Sequence, residues 1–243
     1  MKRARLDQAL VARGLAESRE KAQRLIRAGK VSVEGRALTK PGHEIDPDVP
    51  ISVEAPERFV SRGGEKLLAA IEHWRIDATG AVCLDIGAST GGFTDCLLQH
   101  GAARVYAVDV GRGQLHPRLA SDPRVIPMEG VNARRLTADA LPETPTLAVI
   151  DASFISLKLL LPPVASLLPP GGRLITLIKP QFEAGRSEVG RGGVVRAPAI
   201  HRRVIDEVRA AGERTGLAWR GVIESPLRGP AGNIEFLAYW TKS

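Results

Sequence analysis

Apolar positions along this chain follow two patterns, and the change between them divides it. In RLDQALVARGL, Leu6, Leu10 and Val11 share one helical face that ends near Gly14. SREKAQRLIRAGK opens on Ser18, a suitable N-cap, keeps Ala22, Leu25 and Ile26 on one side and stops at Gly29. KVSVEGRAL then alternates apolar and polar residues around Glu34-Gly35, as a tight hairpin does. Two short helices and a hairpin make a unit too small for a generous core. The Pro- and Asp-rich KPGHEIDPDVPISVEAPERF follows, with PERFV as the connecting stretch. The expected organisation is a small α+β module over residues 1–55, a linker over 56–60 and a larger domain over 61–243.

From residue 81 the pattern becomes short apolar runs ending in turn or acidic residues. AVCLDIG, ARVYAVDVG, RVIPMEG, TLAVIDAS and RLITLIKP are five such runs, most of them separated by helix-compatible segments. That alternation predicts an α/β domain with a doubly wound parallel sheet and helices on both faces. A helix near residues 198–215 and the runs LAWRGVIESP and NIEFLAYW add two further strands. Ligands of such sheets gather at the carboxyl ends of the strands.

Composition adds little to this outline, whereas charge adds more. The 243 residues are 44% apolar and 25% charged, ordinary for a globular chain. No uninterrupted apolar run reaches the length of a membrane span, and MKRARLDQAL lacks a signal-peptide core, so a cytoplasmic protein without membrane association is expected. Cys83 and Cys96 have no metal-type spacing and sit in apolar surroundings, as buried reduced thiols do, and no metal site is expected. The formal charge of +7 falls within residues 1–40, which hold eleven Lys/Arg and four Asp/Glu. A basic segment beside a neutral remainder points to a polyanion-binding module.

Candidate chemistry sits where strands end. LDIGASTGGFTD is a glycine-rich strand-to-helix turn in which Gly87, Gly91 and Gly92 let backbone approach a ligand. Its spacing is neither that of GxGxxG nor that of a P-loop. Asp109 ends the next run, where an acid accepts hydrogen bonds from ribose hydroxyls. A nucleoside-containing cofactor and a merely tight turn both fit that pattern. Four ionisable residues also stand out: Lys66 in SRGGEKLLAA, Asp151 ending the strand LAVID, Lys179 ending LITLIK, and Glu235 inside the otherwise apolar strand of GNIEFLAYW. Singly, each reads as a surface lysine, a helix cap or half of an ion pair.

The N-terminal stretch RLDQALVARGLAESREKAQRLIRAGKVSVEGRAL resembles the S-four-type RNA-binding module, or αL motif. That resemblance makes Arg5, Arg19, Lys21, Arg24 and Lys30 candidate phosphate contacts. Further on, DIGASTGGFTD, DVGRGQL, DASFISL, KPQFEAG and GNIEF occur in the order found in the TlyA family. In these proteins an S-four-type module is fused to an FtsJ-like, Rossmann-like ribose methyltransferase domain. The resemblance spans essentially the whole chain, with IKPQFE replacing the usual VKPQFE. It implies S-adenosylmethionine as cofactor, ribosomal RNA or ribosomal subunits as partner, and ribose 2′-O-methylation as reaction. It also implies a Lys-Asp-Lys-Glu tetrad at Lys66, Asp151, Lys179 and Glu235. The cofactor residues it implies are Asp85, Gly87, Ser89, Thr90, Gly91 and Gly92 in the turn, Asp109 for the ribose, and Asn132 on the adenine side.

The sulfonium methyl of such a cofactor is already a strong electrophile. The ribose hydroxyl is a poor nucleophile, so a lysine that takes its proton, with a second cation beside the growing alkoxide, suits the task. Lys179 is expected to engage the hydroxyl, oriented by Asp151, with Pro180 keeping it out of helical geometry. The glycine-rich stretch 183–198, with Arg186, Arg191 and Arg196, reads as a mobile basic loop or a plain connection. Rivals fare worse. DASFIS lacks the prolines of a ring-nitrogen methyltransferase, and neither cysteine ends a strand as a carbon-5 nucleophile would. An RNA-binding assembly factor with a vestigial pocket and a membrane-active haemolysin are the remaining alternatives.

Overall fold

The computed structural model describes residues 3–54 and 57–243, and the chain separates into two compact units, 1–56 and 57–243. In the first, β1 (Ala4–Arg5) leads into α1 (Leu6–Ala12), and α2 (Arg19–Arg27) follows with the Ser18 side chain accepting from the Lys21 N–H. β2 (Val31–Val33) and β3 (Arg36–Ala37) form the expected hairpin, and β4 (Glu44–Ile45) and β5 (Ile51–Val53) complete the unit. Glu34 and Gly35 both take positive φ, 48° and 78°, as a two-residue hairpin turn of this twist requires. Leu6, Leu10, Ala22, Ile26 and Val31 make the small core.

The second unit contains α3 (Gly63–Trp74), β6 (Val82–Ile86), α4 (Gly92–Gln99), β7 (Arg104–Asp109), α5 (Pro117–Ala120), β8 (Val125–Glu129) and β9 (Leu147–Ile150). It continues with α6 (Leu161–Leu167), β10 (Arg173–Ile178), α7 (Pro180–Glu183), α8 (Pro198–Glu213), β11 (Leu217–Glu224) and β12 (Phe236–Lys242). The sheet order is β11-β12-β10-β9-β6-β7-β8, with β12 antiparallel to both neighbours and β6 to β10 mutually parallel. Pro127, which cannot donate to a ladder, is accommodated because β8 is an edge strand. After β8 the chain returns to the other side of β6, so the strand order reverses between β6 and β9. The crevice at that switch point is where such sheets bind ligands.

The sheet is covered on both faces. Leu67, Phe93 and Leu97 from α3 and α4 pack on one, and Leu161, Val164, Val204 and Val208 from α6 and α8 on the other. α8 crosses Trp240 at Gly212, where a Cβ would come within 2.4 Å of the indole. Cys83 and Cys96 are buried free thiols, and burial pushes both up in pKa.

Two details differ from the sequence reading. Of the linker assigned to 56–60, Pro56 lies outside the described residues, while Phe59 is 2% exposed in the core of the second unit and the Val60 N–H donates to Asp95. The charge division also shifts. Residues 41–56 carry four acids and no Lys/Arg, and they belong to the first unit, leaving it at +3 and the second at +4. The body is therefore basic rather than neutral.

Candidate active site

Adjacent parallel strands end side by side, and this assembles the site. β9 and β10 run in register to Ile150 and Thr176, so the residues just past them, Asp151 and Lys179, emerge at the same rim. Lys179 keeps extended backbone (φ −113°, ψ 101°) because Pro180 excludes the helical region for it. Pro180 then begins α7, where its missing N–H has no consequence. The Lys179 Nζ lies 2.6 Å from Asp151 Oδ1 and donates to Ser153 Oγ at 2.9 Å.

Lys66, in the first turn of α3, donates to Glu235 Oε2 at 2.5 Å, and the two side chains are 11% and 1% exposed. Glu235 is not inside a strand, contrary to the reading of NIEFLAYW. β12 begins at Phe236, whose partner Ile178 is the last residue of β10; beyond it Lys179-Pro180 turns away and offers no ladder. Glu235 therefore stands at the rim, where an acid can meet Lys66.

A cleft of about 290 Å³ brings Lys66, Asp151, Lys179 and Glu235 together with Gly87, Ser89, Thr90 and Gly92. A second cleft of about 380 Å³ runs along Asp109, Asn132 and the apolar side chains of Val108, Val131 and Ile155. Gly87, Ser89, Asp151 and Ser153 line both, so the clefts meet there. Asp109 is held by two backbone donors, Ser89 N–H at 2.8 Å and Gly111 N–H at 2.7 Å, and each oxygen keeps a free lone pair. Gly87 (φ 82°) is required twice over, since a Cβ there would also lie 2.7 Å from the Asp151 carbonyl oxygen.

Two of the expected cofactor residues line neither cleft. Asp85 is fully buried, its Oδ2 accepting from Thr94 Oγ1 at 2.6 Å while Oδ1 has no partner. Burial pushes its carboxyl up to about 7. It ties the glycine turn to α4 from beneath. Gly91 (φ 95°) packs under Leu115 and Leu119, whose side chains a Cβ would strike.

A family description, FtsJ-like methyltransferase, matches residues 59–242. The chain belongs to the FtsJ-like methyltransferases. An S4 domain matches residues 4–51 ahead of it. The 16S/23S rRNA (cytidine-2′-O)-methyltransferase TlyA of Mycobacterium tuberculosis is 44% identical over 240 residues, 98% of this chain and 90% of that protein. Hemolysin A of Brachyspira hyodysenteriae is 41% identical over 237 residues, covering 97% and 99%. A solved structure of a protein named a hemolysin from Streptococcus thermophilus superposes with a TM-score of 0.77 at 43% identity, covering 100% and 90%. Within the FtsJ-like methyltransferases the chain is thus a member of the TlyA family.

In this FtsJ-like methyltransferase the expected RNA-contacting residues form two sets. Arg5 and Arg19 both bond the buried Asp7, at 3.0 Å each, and Gln23 joins them at 2.9 Å. The hydrogen bond from Arg5 leads in holding the Asp7 carboxyl well below the usual carboxylate range. Lys21 pairs with Glu17, whereas Arg24 and Lys30 have no carboxylate partner among the described residues.

Other groups around the site escaped the sequence reading. Phe154, in the strained φ of 62°, is 91% exposed at the edge of the second cleft, with its ring 5.1 Å from that of Phe182. Glu183, buried one turn after Lys179, accepts from Ser156 Oγ and the Leu157 N–H, both at 2.6 Å. The basic stretch after α7 is pinned rather than slack: the Asn233 side chain accepts from the Val195 N–H and donates to the Gly193 carbonyl, and His201 bonds the Val195 carbonyl. A strained exposed aromatic and a buried acid are visible only in three dimensions; the SF and QFE segments that hold them carry no local signal of either.

Proposed function

We propose that the protein transfers the methyl group of S-adenosylmethionine to a ribose 2′-oxygen of ribosomal RNA, the N-terminal unit binding the RNA. The observation that carries this reading is the meeting of the two clefts. One is lined by an acid and apolar walls suited to an adenosine, the other by two lysines, each paired with a carboxylate. The donor set fits the cofactor: Asp109 offers lone pairs to two ribose hydroxyls, Val108, Val131 and Ile155 accept a flat base, and the Gly87 turn admits close backbone approach. When bound, the cofactor supplies an electrophilic methyl group.

The chain's own residues do the rest. Lys179 lines the first cleft, bonded to Asp151 and Ser153 where the second joins it, and in its uncharged form takes the proton of the 2′-hydroxyl. Asp151 keeps its amine in place, and Lys66, held by Glu235, adds positive charge near the developing alkoxide. The exposed face of Phe154 gives the target base a surface to stack on once it leaves its helix. With ribosomal RNA as substrate, this reading has the reaction occur in the cytoplasm.

The test is transfer from methyl-labelled S-adenosylmethionine to separated, unmodified ribosomal subunits, followed by digestion and assignment of the label to base or ribose. Label on a ribose 2′-oxygen, reduced about 10²–10⁴-fold in Lys179→Ala with cofactor binding retained, is the expected result. Label on a base, or normal turnover in that variant, overturns the reading.

A further inference from the structure

The two partners of Lys179 do different jobs. Asp151 Oδ1 approaches its ammonium to 2.6 Å, a full ion pair by distance, yet that oxygen receives no aligned hydrogen bond. Ser153 Oγ, at 2.9 Å, does receive one. Asp151 thus supplies charge, whereas Ser153 sets the direction of an N–H. A lysine amine rotates freely about its last bond, so charge alone leaves its hydrogens and its lone pair unoriented. One aligned acceptor removes that freedom.

Ser153 is itself fixed from both sides. The backbone of Asp151 and Ala152 packs on the Gly87 turn, closely enough that a Cβ on Gly87 would lie 2.7 Å from the Asp151 carbonyl oxygen and 3.0 Å from the Ala152 Cα. Beyond it, Ser156 and Leu157 are tied to the buried Glu183, and the same α7 begins next to Lys179. Glu183 therefore joins the segment that bears Ser153 to the one that bears Lys179. Ser153 also lines both clefts, at the point where the methyl group and the ribose must meet.

We infer that Ser153 is the positioning residue of Lys179: it holds one N–H so that the remaining face of the amine is turned toward the 2′-hydroxyl. The inference rests on the reading of Lys179 as the proton acceptor. Before the transfer the ammonium gives up one proton to the solvent that fills the cleft; in the uncharged amine left behind, Ser153 still takes one hydrogen, and the lone pair is directed by it. When the proton moves from the ribose oxygen to Nζ, the bond to Ser153 persists, so the step needs no reorientation.

The experiment compares wild type with Ser153→Ala and Ser153→Thr in the full chain. Single-turnover methyl transfer to the subunit is expected to fall roughly tenfold in Ser153→Ala, the worth of one buried hydrogen bond. Cofactor Kd and RNA KM should stay unchanged, and Ser153→Thr, which keeps the hydroxyl, should restore most of the rate. In parallel, the ¹⁵Nζ resonance of Lys179, assigned by its loss in Lys179→Ala, is expected to exchange protons with water faster in Ser153→Ala than in wild type. A rate within twofold of wild type, an uncorrected loss in Ser153→Thr, or an unchanged Nζ resonance overturns the inference. If the wild-type protein itself labels no ribose, the functional reading fails, and the Nζ resonance still decides the positioning.

Discussion

Lys66 and Glu235 are 169 positions apart in sequence and 2.5 Å apart in the fold. The first turn of α3 and the doorstep of the last strand thus meet through one buried ion pair. A pair of this kind contributes little beyond what well-packed apolar groups would, yet removing one member strands the other without a counter-charge. Lys66→Met should lower unfolding free energy by about 3 kcal/mol, and Lys66→Met with Glu235→Leu should recover much of that. Both variants should lose methyl transfer. Denaturant unfolding combined with a transfer assay separates the two effects; a double variant no more stable than the single one would contradict it.

Asp85 makes stability depend on pH in the direction opposite to most carboxylates. Its folded-state pKa is raised to about 7 by burial, so between the ordinary value near 4 and about 7 the folded chain binds a proton that the unfolded chain does not. Its contribution is present at low pH and lost as pH rises through that window, on the order of 1 kcal/mol per pH unit. Asp85→Asn should be more stable than wild type at pH 8, with the advantage shrinking toward pH 5. A stability difference that is flat across pH would sink this account.

Phe154 pairs local strain with exposure. Phe154→Gly should remove a positive-φ cost of about 1 kcal/mol and raise the melting temperature slightly. The same change should weaken engagement of the target nucleotide by about 1–3 kcal/mol. Stability and activity moving in opposite directions is the signature to look for; parallel loss of both would make Phe154 a plain packing residue.

For the N-terminal unit, salt dependence is the sharpest measure. Arg19→Ala with Arg24→Ala should reduce the slope of log affinity against log salt by up to about 1.5–2, if each arginine neutralises one phosphate. Lys40→Ala, outside the expected contacts, serves as the control. Equal slopes in both variants would remove Arg19 and Arg24 from the RNA-binding surface.

Much of this site was readable from the chain, and the misses have physical causes. Asp151 and Lys179 announce themselves as polar residues straight after buried apolar runs, and β9 and β10 do bring them together. Asp85 and Asp109 look alike in sequence, each near the end of a strand. Asp109 is the final residue of β7 and lines the cleft, whereas Asp85 precedes the end of β6 by one and points into the protein. A one-residue difference in strand end, invisible to periodicity, separates a ligand-facing acid from an internal brace. Glu235 shows the same limit, because where β12 starts depends on where its partner β10 stops. Ser153 and Glu183 are silent in the sequence for a different reason: their contacts span 26 residues, which no local pattern encodes.

The split of positive charge between two separately folded units has a consequence for how the substrate is held. An RNA that touches both units of one chain is gripped twice, so the second grip forms at a raised effective concentration. Each hold can then be weak and quick to release while the whole remains tight. A strand so held can shift at one unit without leaving the other, and a finished product can leave one hold at a time.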